Sequence, residues 1–298
     1  MVRGYGDYTA QEGKRGAEKM RPPKNRKRRW AVLAAFCALL AIAAAGLENR
    51  LTLRRYTVGS EKVKKTVRIA LLTDLHSCFY GEGQRELLDM VEVQHPDVVL
   101  LGGDIVDDVL PEDNAWLTVR RLAARYPTYY VTGNHEYRSG RVETIRKEMA
   151  ESGVIVLAGE CRSVLLQGQR VELCGVDDPK CGGSMWSDQL SAAAKAAGPD
   201  CFAVLLSHRP ERVEDYLAYD FDLVLSGHAH GGQWRLPGLV NGLLAPDQGF
   251  FPAYAGGLYR LDENTDLVVS RGLARESTRV PRIFNPPELV IIDVTPAE

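Results

Sequence analysis

The segment Val224-Leu225-Ser226-Gly227-His228-Ala229-His230 decides both the fold and the chemistry of this chain. A short apolar run that ends at a glycine is typical of a buried strand rather than of a helix. Alternate residues of an extended chain point the same way, so His228 and His230 would lie on one side just beyond the strand end. Two imidazoles placed in this way can bind a cation, although a histidine pair near a glycine is about as often a packing or surface feature.

Four other apolar runs end in the same way. The polar residues that follow them are Asp74 and His76 after residues 69–73, Asp104 after 98–101, Asn134 and His135 after 129–132, and His208 after 203–206. In an open α/β sheet, ligands bind outside the carboxyl ends of the strands, so five such strands would bring these groups to one edge. Because unpaired buried carboxylates are costly, two aspartates that converge with every histidine except His95 indicate a metal site.

The charge of the chain is small but unevenly distributed. The 298 residues carry a net charge of -2, whereas residues 1–29 hold ten Lys or Arg against three acids, a net +7 that leaves about -9 for the rest. A mildly acidic body without a basic patch argues against nucleic acid as the main partner. Residues 1–29 are too polar to bury a core, so we predict a disordered cytoplasmic tail.

Residues 30–47 form an uncharged, largely apolar stretch. As a helix it would span about 27 Å, close to the ~30 Å hydrocarbon core of a bilayer, which predicts a single transmembrane anchor. The basic flank should stay in the cytoplasm, so the rest of the chain would be extracytoplasmic. Two processed forms remain open, because Ala43-Ala44-Ala45 resembles a signal-peptide cleavage site and Arg28-Arg29 resembles a twin-arginine signal in a poor context.

The chain contains six cysteines, none with the paired spacing of a zinc ribbon. Cys37 belongs to the apolar stretch, which leaves an odd number in the folded part and argues against a disulfide framework. One pair among Cys161, Cys174, Cys181 and Cys201 remains open, but ordinary core or surface thiols are the favoured interpretation.

The order of elements predicts one α/β domain over residues 66–298, after a linker or short strand over residues 48–65. Helices are predicted at residues 85–93, 111–125, 141–152, 188–197 and 210–217, and late strands at 233–236, 257–261, 267–270 and 289–294. The alternation of the first strands and helices indicates a parallel sheet. Short β-like runs over residues 154–176 indicate a second, more antiparallel sheet. Two facing sheets with helices outside, a four-layer α-β-β-α sandwich, would accommodate this order.

The motifs resemble those of the calcineurin-like metallophosphoesterase family. The matching residues are Asp74-x-His76, Gly103-Asp104, Gly133-Asn134-His135-Glu136, His208 and Gly227-His228-x-His230. They occur in the same order as in the family, and the resemblance covers nearly all of residues 66–298. The chain is most similar to a membrane-associated bacterial branch sometimes called YkuE-like. The resemblance implies the four-layer fold and the hydrolysis of phosphate esters.

The resemblance also implies a binuclear centre that holds two divalent metal ions. Asp74, His76 and His230 would bind one ion, Asn134, His208 and His228 would bind the other, and Asp104 would bridge both. One carboxylate can clamp two cations about 3.5–4 Å apart, and mixed nitrogen and oxygen ligands suit Mn, Fe or Zn. Two cations that face the same water lower its pKa, so a metal-bound hydroxide would attack phosphorus in line.

His135 is the motif histidine that the resemblance leaves without a metal. We expect it to act on the leaving group as general acid or electrostatic stabiliser, and a structural hydrogen bond is the alternative. Asp107 would orient and charge His135, as the matching residue does in the protein-phosphatase branch of the family. An exposed loop aspartate is an equal alternative for Asp107.

Two further groups are open to more than one interpretation. Arg271 would suit a substrate phosphate, but a structural ion pair is equally plausible. Phe250, Phe251 and Tyr254 form an aromatic loop that would suit lipid or an apolar substrate, although capping of the core is the favoured interpretation.

The sequence therefore predicts a membrane-anchored phosphoesterase that hydrolyses phosphate monoesters, diesters or pyrophosphates. Its partners would be the membrane and a phosphorylated small molecule or lipid-linked substrate, with no prediction of oligomeric state. One rival is a non-catalytic scaffold of the same fold that binds a protein partner, although such a scaffold tends to lose ligands. A metal-dependent amide hydrolase is a second rival, but it has no reason to carry Gly133-Asn134-His135-Glu136.

Overall fold

The computed structural model describes Met1, residues 24–277 and residues 280–297, and it separates the chain into two compact units, Met1–Ala44 and Ala45–Glu298. Apart from Met1, the described part of the first unit lies in helix α1 (Lys24–Gly46). Within this helix, Arg26–Gly46 contains an 18-residue window with a mean hydropathy of 1.9 and is long and apolar enough to cross a membrane. Most of the predicted tail, residues 2–23, lies outside the described residues.

The second unit contains two six-stranded sheets. The strands of the first are, in chain order, β1 (Thr52–Ser60), β2 (Val67–Leu72), β3 (Val98–Gly102), β4 (Thr128–Val131), β5 (Ile155–Val156) and β14 (Glu288–Pro296). Their order across the sheet is β1-β14-β2-β3-β4-β5. Strand β14 is antiparallel to β2, and the other four neighbouring pairs are parallel.

The second sheet has antiparallel pairs at both edges and parallel strands between them. Its strands are β6 (Glu160–Leu166), β7 (Gln169–Gly175), β8 (Phe202–Leu206), β9 (Leu223–Ser226), β12 (Gly257–Arg260) and β13 (Asp266–Val269). Their order across the sheet is β12-β13-β9-β8-β7-β6. A separate two-stranded hairpin pairs β10 (Leu244–Ala245) with β11 (Gly249–Phe250).

Among the described residues of the second unit, six helices join these strands. They are α2 (Arg85–Gln94), α3 (Asp113–Ala123), α4 (Asn134–Arg138), α5 (Val142–Glu151), α6 (Gly183–Ala196) and α7 (Val213–Tyr216). Three short 3-10 turns lie at Glu82–Gln84, Pro179–Cys181 and His230–Gly232.

Three apolar layers show how the sheets and helices pack. The middle layer joins the two sheets, with Leu71 and Leu100 from the first facing Leu206 and Leu225 from the second. An outer layer packs the first sheet against α2, α3 and α5, and another packs the second sheet against α6 and α7. Because each sheet is covered on both faces, its central strands are continuous apolar runs rather than alternating ones. The predicted four-layer α-β-β-α sandwich is confirmed.

Two local features go beyond or differ from the sequence-based expectation. Residues 48–65 contain a short strand, β1, which was one of the two alternatives, but its parallel pairing with β14 over nine residues was not expected. No local pattern indicates a pairing between segments more than 230 residues apart. The strand expected at residues 233–236 is absent from the described chain, where Trp234 and Leu236 form only isolated bridges to Ile283 and Val240.

The cysteine pattern also differs from the favoured interpretation. Cys161 and Cys174 stand directly opposite each other on β6 and β7 and form a disulfide. Cys78 is a buried free thiol, whereas Cys181 and Cys201 are partly exposed free thiols. The second unit therefore carries one covalent cross-link between neighbouring strands.

Candidate metal centre

The carboxyl ends of five strands carry the predicted site residues. Asp74 and His76 follow β2, Asp104 follows β3, Asn134 and His135 follow β4, His208 follows β8, and His228 and His230 follow β9. Strands β2, β3 and β4 are parallel neighbours in one sheet, and β8 and β9 are parallel neighbours in the other. Their polar ends consequently meet, as expected for strands that share one direction.

These residues form two groups that could each hold a metal ion. Asp74, His76 and His230 make one group, and Asp104, His208 and His228 make the other. Within each group, one potential ligand atom from each residue lies within 4.8 Å of the others. The composition of both groups matches the two ligand sets expected from the sequence, apart from Asn134.

Asp104 lies between the two groups and is fully buried. Its Oδ2 atom is 3.2 Å from Nε2 of His208 and 3.7 Å from Nε2 of His76. Its Oδ1 atom accepts a hydrogen bond of 2.8 Å from the backbone N–H of His135. One carboxylate therefore faces histidines of both groups, as a bridging ligand must.

Five atoms of the predicted ligand residues are buried without a hydrogen-bond partner in the described structure. They are Nε2 of His76, Oδ2 of Asp104, Oδ1 of Asn134, Nε2 of His208 and Nδ1 of His228. Buried polar atoms are nearly always paired, because desolvation without a partner costs about 1–3 kcal/mol each. Lone pairs of nitrogen and oxygen that converge in this way fit divalent cations such as Mn, Fe or Zn.

The opposite nitrogen of each of three rings is fixed by an oxygen atom. Nδ1 of His76 is 2.9 Å from Oδ1 of Asp107, and Nδ1 of His208 donates to the Gly102 carbonyl at 2.8 Å. Nε2 of His228 is 2.9 Å from Oδ2 of Asp247. Such contacts fix the orientation of each ring, so its other nitrogen faces the centre. Sequence reasoning missed Asp247, which has no strand-end signature.

The backbone is left-handed at five of these positions. Asp74, His76, Asp104, His228 and His230 have φ angles between 47° and 64°. Residues with a Cβ rarely adopt this conformation, and clusters of them mark functional sites where strain is held by the surrounding structure. Asp74 and Asp104 are also fully buried.

Two glycines of the motifs are required by close approach rather than by flexibility. A Cβ atom on Gly133 would overlap the carboxylate of Asp104, and one on Gly227 would overlap that of Asp74. Each glycine therefore lets one strand end come close to the aspartate of another.

Glu136 fixes the backbone of the loop that carries Asp104, a role that the sequence pattern did not reveal. It is fully buried and accepts four backbone hydrogen bonds. Oε2 accepts from Asp104 and Gly133 at 3.0 and 2.8 Å, and Oε1 accepts from Ile105 and Val106 at 2.8 and 3.1 Å. Burial and the nearby Asp104 charge raise the pKa of Glu136 to about 7, and these donors oppose the shift.

The buried charges of the centre interact strongly. Burial alone would raise the pKa of Asp104, but His208, His76 and His135 hold it well below its usual range. Burial lowers the pKa of His208, yet Asp104 and Asp74 outweigh that effect and raise it to about 10. These opposite shifts show that Asp104 and His208 attract each other strongly in their charged forms.

His135 lies beside the two groups, with its side chain 20% exposed. Its Nδ1 atom is 2.5 Å from Oδ1 of Asp108 and 3.4 Å from Oδ1 of Asp107. Burial lowers the pKa of His135, but Asp107, Asp104 and Asp108 outweigh it and raise the pKa to about 9. Sequence reasoning named Asp107 as the partner of His135 and missed Asp108, which is the nearer carboxylate.

Two buried arginines adjoin the groups, and neither was expected. Arg209 forms a two-point ion pair with Asp178 and also contacts both Asp247 and Nε2 of His228. Arg282 donates to the carbonyl of Arg271 and lies 3.5 Å from Nδ1 of His230. Burial and the positive neighbours contribute to a pKa of about 3 for His230, which keeps this ring neutral.

The alternatives for Arg271 are decided by its contacts. Its Nε atom donates to Oε2 of Glu288 at 2.5 Å, and its backbone N–H donates to Oε1 at 2.9 Å. Both side chains are almost completely buried. Arg271 thus forms a structural ion pair.

Sequence comparison defines the class of protein to which this fold and site belong. Residues 67–232 match the model of the calcineurin-like phosphoesterase family. These residues contain all of the predicted site residues and more than half of the chain, so the chain belongs to this family.

Relatives within the family are both bacterial and animal. An uncharacterized metallophosphoesterase of Campylobacter jejuni is 31% identical over 245 residues, which are 78% of this chain and 60% of that protein. The metallophosphoesterase YkuE of Bacillus subtilis is 27% identical over 231 residues, 75% of this chain and 77% of YkuE. A bovine transmembrane protein with a metallophosphoesterase domain is 31% identical over 223 residues, 70% of this chain and 49% of that protein. The chain spans roughly 55–60% of the length of the first three curated relatives.

Replacing Glu136 with Gln is expected to destabilise the second unit. In either orientation of the amide, its NH2 group would face two backbone N–H donors, and each donor left unpaired costs about 1–3 kcal/mol. Urea unfolding followed by circular dichroism measures this loss. Glu151→Gln, at the exposed end of α5, is the matched control and should change stability by less than about 0.5 kcal/mol. Equal unfolding midpoints for the two variants would contradict the supporting role of Glu136.

Proposed function

We propose that this protein is a phosphoesterase with two divalent metal ions that hydrolyses a phosphate monoester, a phosphodiester or a pyrophosphate. The observation that carries the proposal is the convergence of five buried ligand atoms without hydrogen-bond partners. A site built only for stability would pair these atoms, because each orphaned group costs free energy. Membership of the family supports the class of reaction.

The proposed ligand sets follow the two groups of residues. Asp74, His76 and His230 would hold one ion, Asn134, His208 and His228 would hold the second, and Asp104 would be shared by both. Two divalent ions held in this way would supply Lewis acidity toward phosphoryl oxygens and would activate a water for attack on phosphorus. Asp107 and Asp247 hold the rings of His76 and His228 so that each presents its free nitrogen.

His135 is proposed to act on the leaving group. It lies 4.0 Å from the proposed bridging Asp104, and its pKa of about 9 keeps it protonated near neutral pH. A protonated imidazole can donate its proton to the departing oxygen and stabilise negative charge there. Asp107 and Asp108 orient and charge this ring from its Nδ1 side.

We further propose that α1 anchors the protein in the cell membrane with the second unit outside the cytoplasm. Three observations support this topology: the apolar length of the helix, the basic residues at its N-terminal end, and a relative described as a transmembrane protein. The disulfide between Cys161 and Cys174 also supports it, because such bonds persist in oxidising compartments. A membrane location suits a lipid-linked phosphate as well as a phosphorylated small molecule.

A scaffold of the same fold that binds a protein partner is the second candidate. Such a protein has no need for buried lone pairs that converge without partners, and the complete set of ligand residues disfavours it. Its activity and its metal content would both be absent.

Asp104→Asn and His208→Ala are each expected to abolish metal-dependent hydrolysis of p-nitrophenyl phosphate and of its bis ester. Both changes remove a ligand, and inductively coupled plasma mass spectrometry should show the loss from an expected two metal ions per chain. His95→Ala is the matched control, since His95 is an exposed histidine at the end of α2. Unchanged turnover in either ligand variant would contradict the proposed centre.

His135→Ala is expected to keep both metal ions but to lower kcat about 10²–10⁴-fold on phenyl phosphate. The loss should be much smaller on p-nitrophenyl phosphate, because p-nitrophenolate leaves without taking up a proton. Steady-state kinetics on the two esters and the metal content give the comparison. An equal loss on both esters would rule out proton donation by His135.

The topology can be tested with single cysteines in a chain whose Cys37, Cys181 and Cys201 are replaced by Ser. Leu165→Cys lies on β6 with 71% exposure and should react with a membrane-impermeant maleimide on intact bacterial cells. Lys27→Cys, on the basic side of α1, should react only after the membrane is permeabilised. The reverse pattern would place the second unit in the cytoplasm.

A further inference from the structure

An exposed apolar loop adjoins the metal-site residues. We define the apolar loop as residues 234–251, which contain β10 and β11. Its exposed large apolar side chains are Trp234, Leu236, Leu239, Leu244, Phe250 and Phe251. The exposed fractions of Leu239, Phe250 and Phe251 are 80%, 72% and 68%, so these two phenylalanine rings do not cap the core as the sequence suggested.

The loop is held by its own backbone hydrogen bonds. Leu236 pairs with Val240, the N–H of Leu243 donates to the Trp234 carbonyl at 2.9 Å, and the N–H of Phe251 donates to the Leu243 carbonyl at 2.8 Å. The exposure of its apolar groups is therefore part of the fold and not a frayed end. Contiguous apolar surface of this kind marks a contact with a partner or a membrane, because leaving it in water is unfavourable.

The apolar loop carries only two charged residues, Arg235 and Asp247. Nη2 of Arg235 donates to Asn241 within the loop, and Asp247 contacts Arg209 and His228. Asp247 is the one acid of the loop, its side chain is 56% exposed, and its charge is paired with Arg209. A single acid that is paired with an arginine leaves the loop compatible with the negative face of an anionic membrane.

A basic cavity of about 560 Å³ adjoins the loop. Four arginines line it, namely Arg54, Arg55, Arg235 and Arg271. Within its described surroundings, Nη1 of Arg235 is buried without a hydrogen-bond partner. Glu288 pairs with Arg271 and lies 3.8 Å from Nε of Arg54, so one carboxylate faces several guanidinium groups. Guanidinium groups in excess over acids suit a phosphate, which accepts several charge-assisted hydrogen bonds.

Arg235 links the cavity to the apolar loop. Its neighbours Trp234 and Leu236 are exposed by 42% and 47%. The ring nitrogen of Trp234 donates to the Pro281 carbonyl at 3.0 Å, so its hydrogen bond is satisfied within the protein. An apolar surface with tryptophan beside a phosphate-binding group is the arrangement that suits the boundary between lipid headgroups and acyl chains.

We propose that the apolar loop lies in the interfacial layer of the membrane and that the arginine cavity binds the phosphate of an anionic phospholipid headgroup. The proposal rests on the proposed membrane anchoring and adds a second, specific lipid contact to it. Of the occupants that such a surface could take, the bilayer is favoured by the anchor helix on the same chain and by the positive charge of the cavity.

The contact between the apolar loop and lipid would lie next to the metal centre. The apolar loop begins four residues after His230 and contains Asp247, which fixes the ring of His228. A loop seated in the headgroup layer would hold the centre at the bilayer surface, where a phosphate on a lipid is accessible.

The test uses the full chain in phospholipid nanodiscs, with Cys37, Cys181 and Cys201 replaced by Ser. The remaining free thiol, Cys78, is buried, so Phe250→Cys can carry a single environment-sensitive fluorophore. Doxyl groups near the headgroups should remove most of the fluorescence at position 250. The matched control is Leu165→Cys on the exposed face of β6, where no quenching is expected.

Equal quenching at positions 250 and 165 would overturn the proposal. Failure of the chain to co-elute with the discs would instead contradict the proposed anchor, and hydrolytic activity tests the metal centre separately. Discs with one chain and discs with two chains are prepared separately, and mass photometry checks the number of chains. If the fluorophore at position 250 is shielded only in discs with two chains, the loop is a contact between copies and the lipid assignment fails.

A separate comparison of variants and lipid compositions tests the arginine cavity. Arg235→Gln should lower quenching at position 250 in discs that contain phosphatidylglycerol and leave it unchanged in discs of phosphatidylcholine alone. Arg170→Gln, an exposed arginine on β7, is the control and should change neither. Glycerol 3-phosphate in solution should not reproduce the Arg235→Gln effect. Competition by this soluble phosphate, or no difference between the two lipid compositions, would overturn the assignment of a lipid headgroup.

Discussion

The arrangement of the second unit depends on a buried carboxylate, Asp104, that faces imidazoles from two different sheets. Its charge is retained in a place where water is excluded, and this is costly without a positive partner. His208 and His76 supply part of that partner, and the remaining lone pairs around Asp104 have no protein group to satisfy them. The surrounding structure can be understood as the framework that keeps these repelling and desolvated groups together.

Two structural features keep these buried polar groups together. Parallel strands bring their carboxyl ends to one edge, and left-handed turns at Asp74, Asp104 and His228 aim the side chains inward. Glycines at 133 and 227 let neighbouring strand ends approach the carboxylates, and the four hydrogen bonds to Glu136 fix the loop that carries Asp104. Strain and close approach are both stabilised by the apolar layer between the sheets, which is far from the chemistry.

The sequence was most informative where local pattern and position coincide. A strand followed at once by Asp or His places that residue at the ligand edge, and this rule predicted that the site residues meet there, whereas their division into two ligand sets came from the family resemblance. The rule names only Asp or His directly after a strand and does not include Asp247, Arg209 or Arg282, which lie in irregular segments and contact the site residues through tertiary folding. The rule also does not predict the pairing of β1 with β14, because these two strands lie at opposite ends of the unit in the sequence.

The apolar loop shows how one segment can serve two requirements. Sequence composition alone could not say whether Phe250 and Phe251 face the core or the solvent, because both environments accept an aromatic ring. Their exposure, together with the contact between Asp247 and His228, joins an apolar surface to the position of a proposed metal ligand. A displacement of the loop at Asp247 would change or break its contact with the ring. Contact of the loop with lipid and the geometry of the centre are thus coupled through one carboxylate.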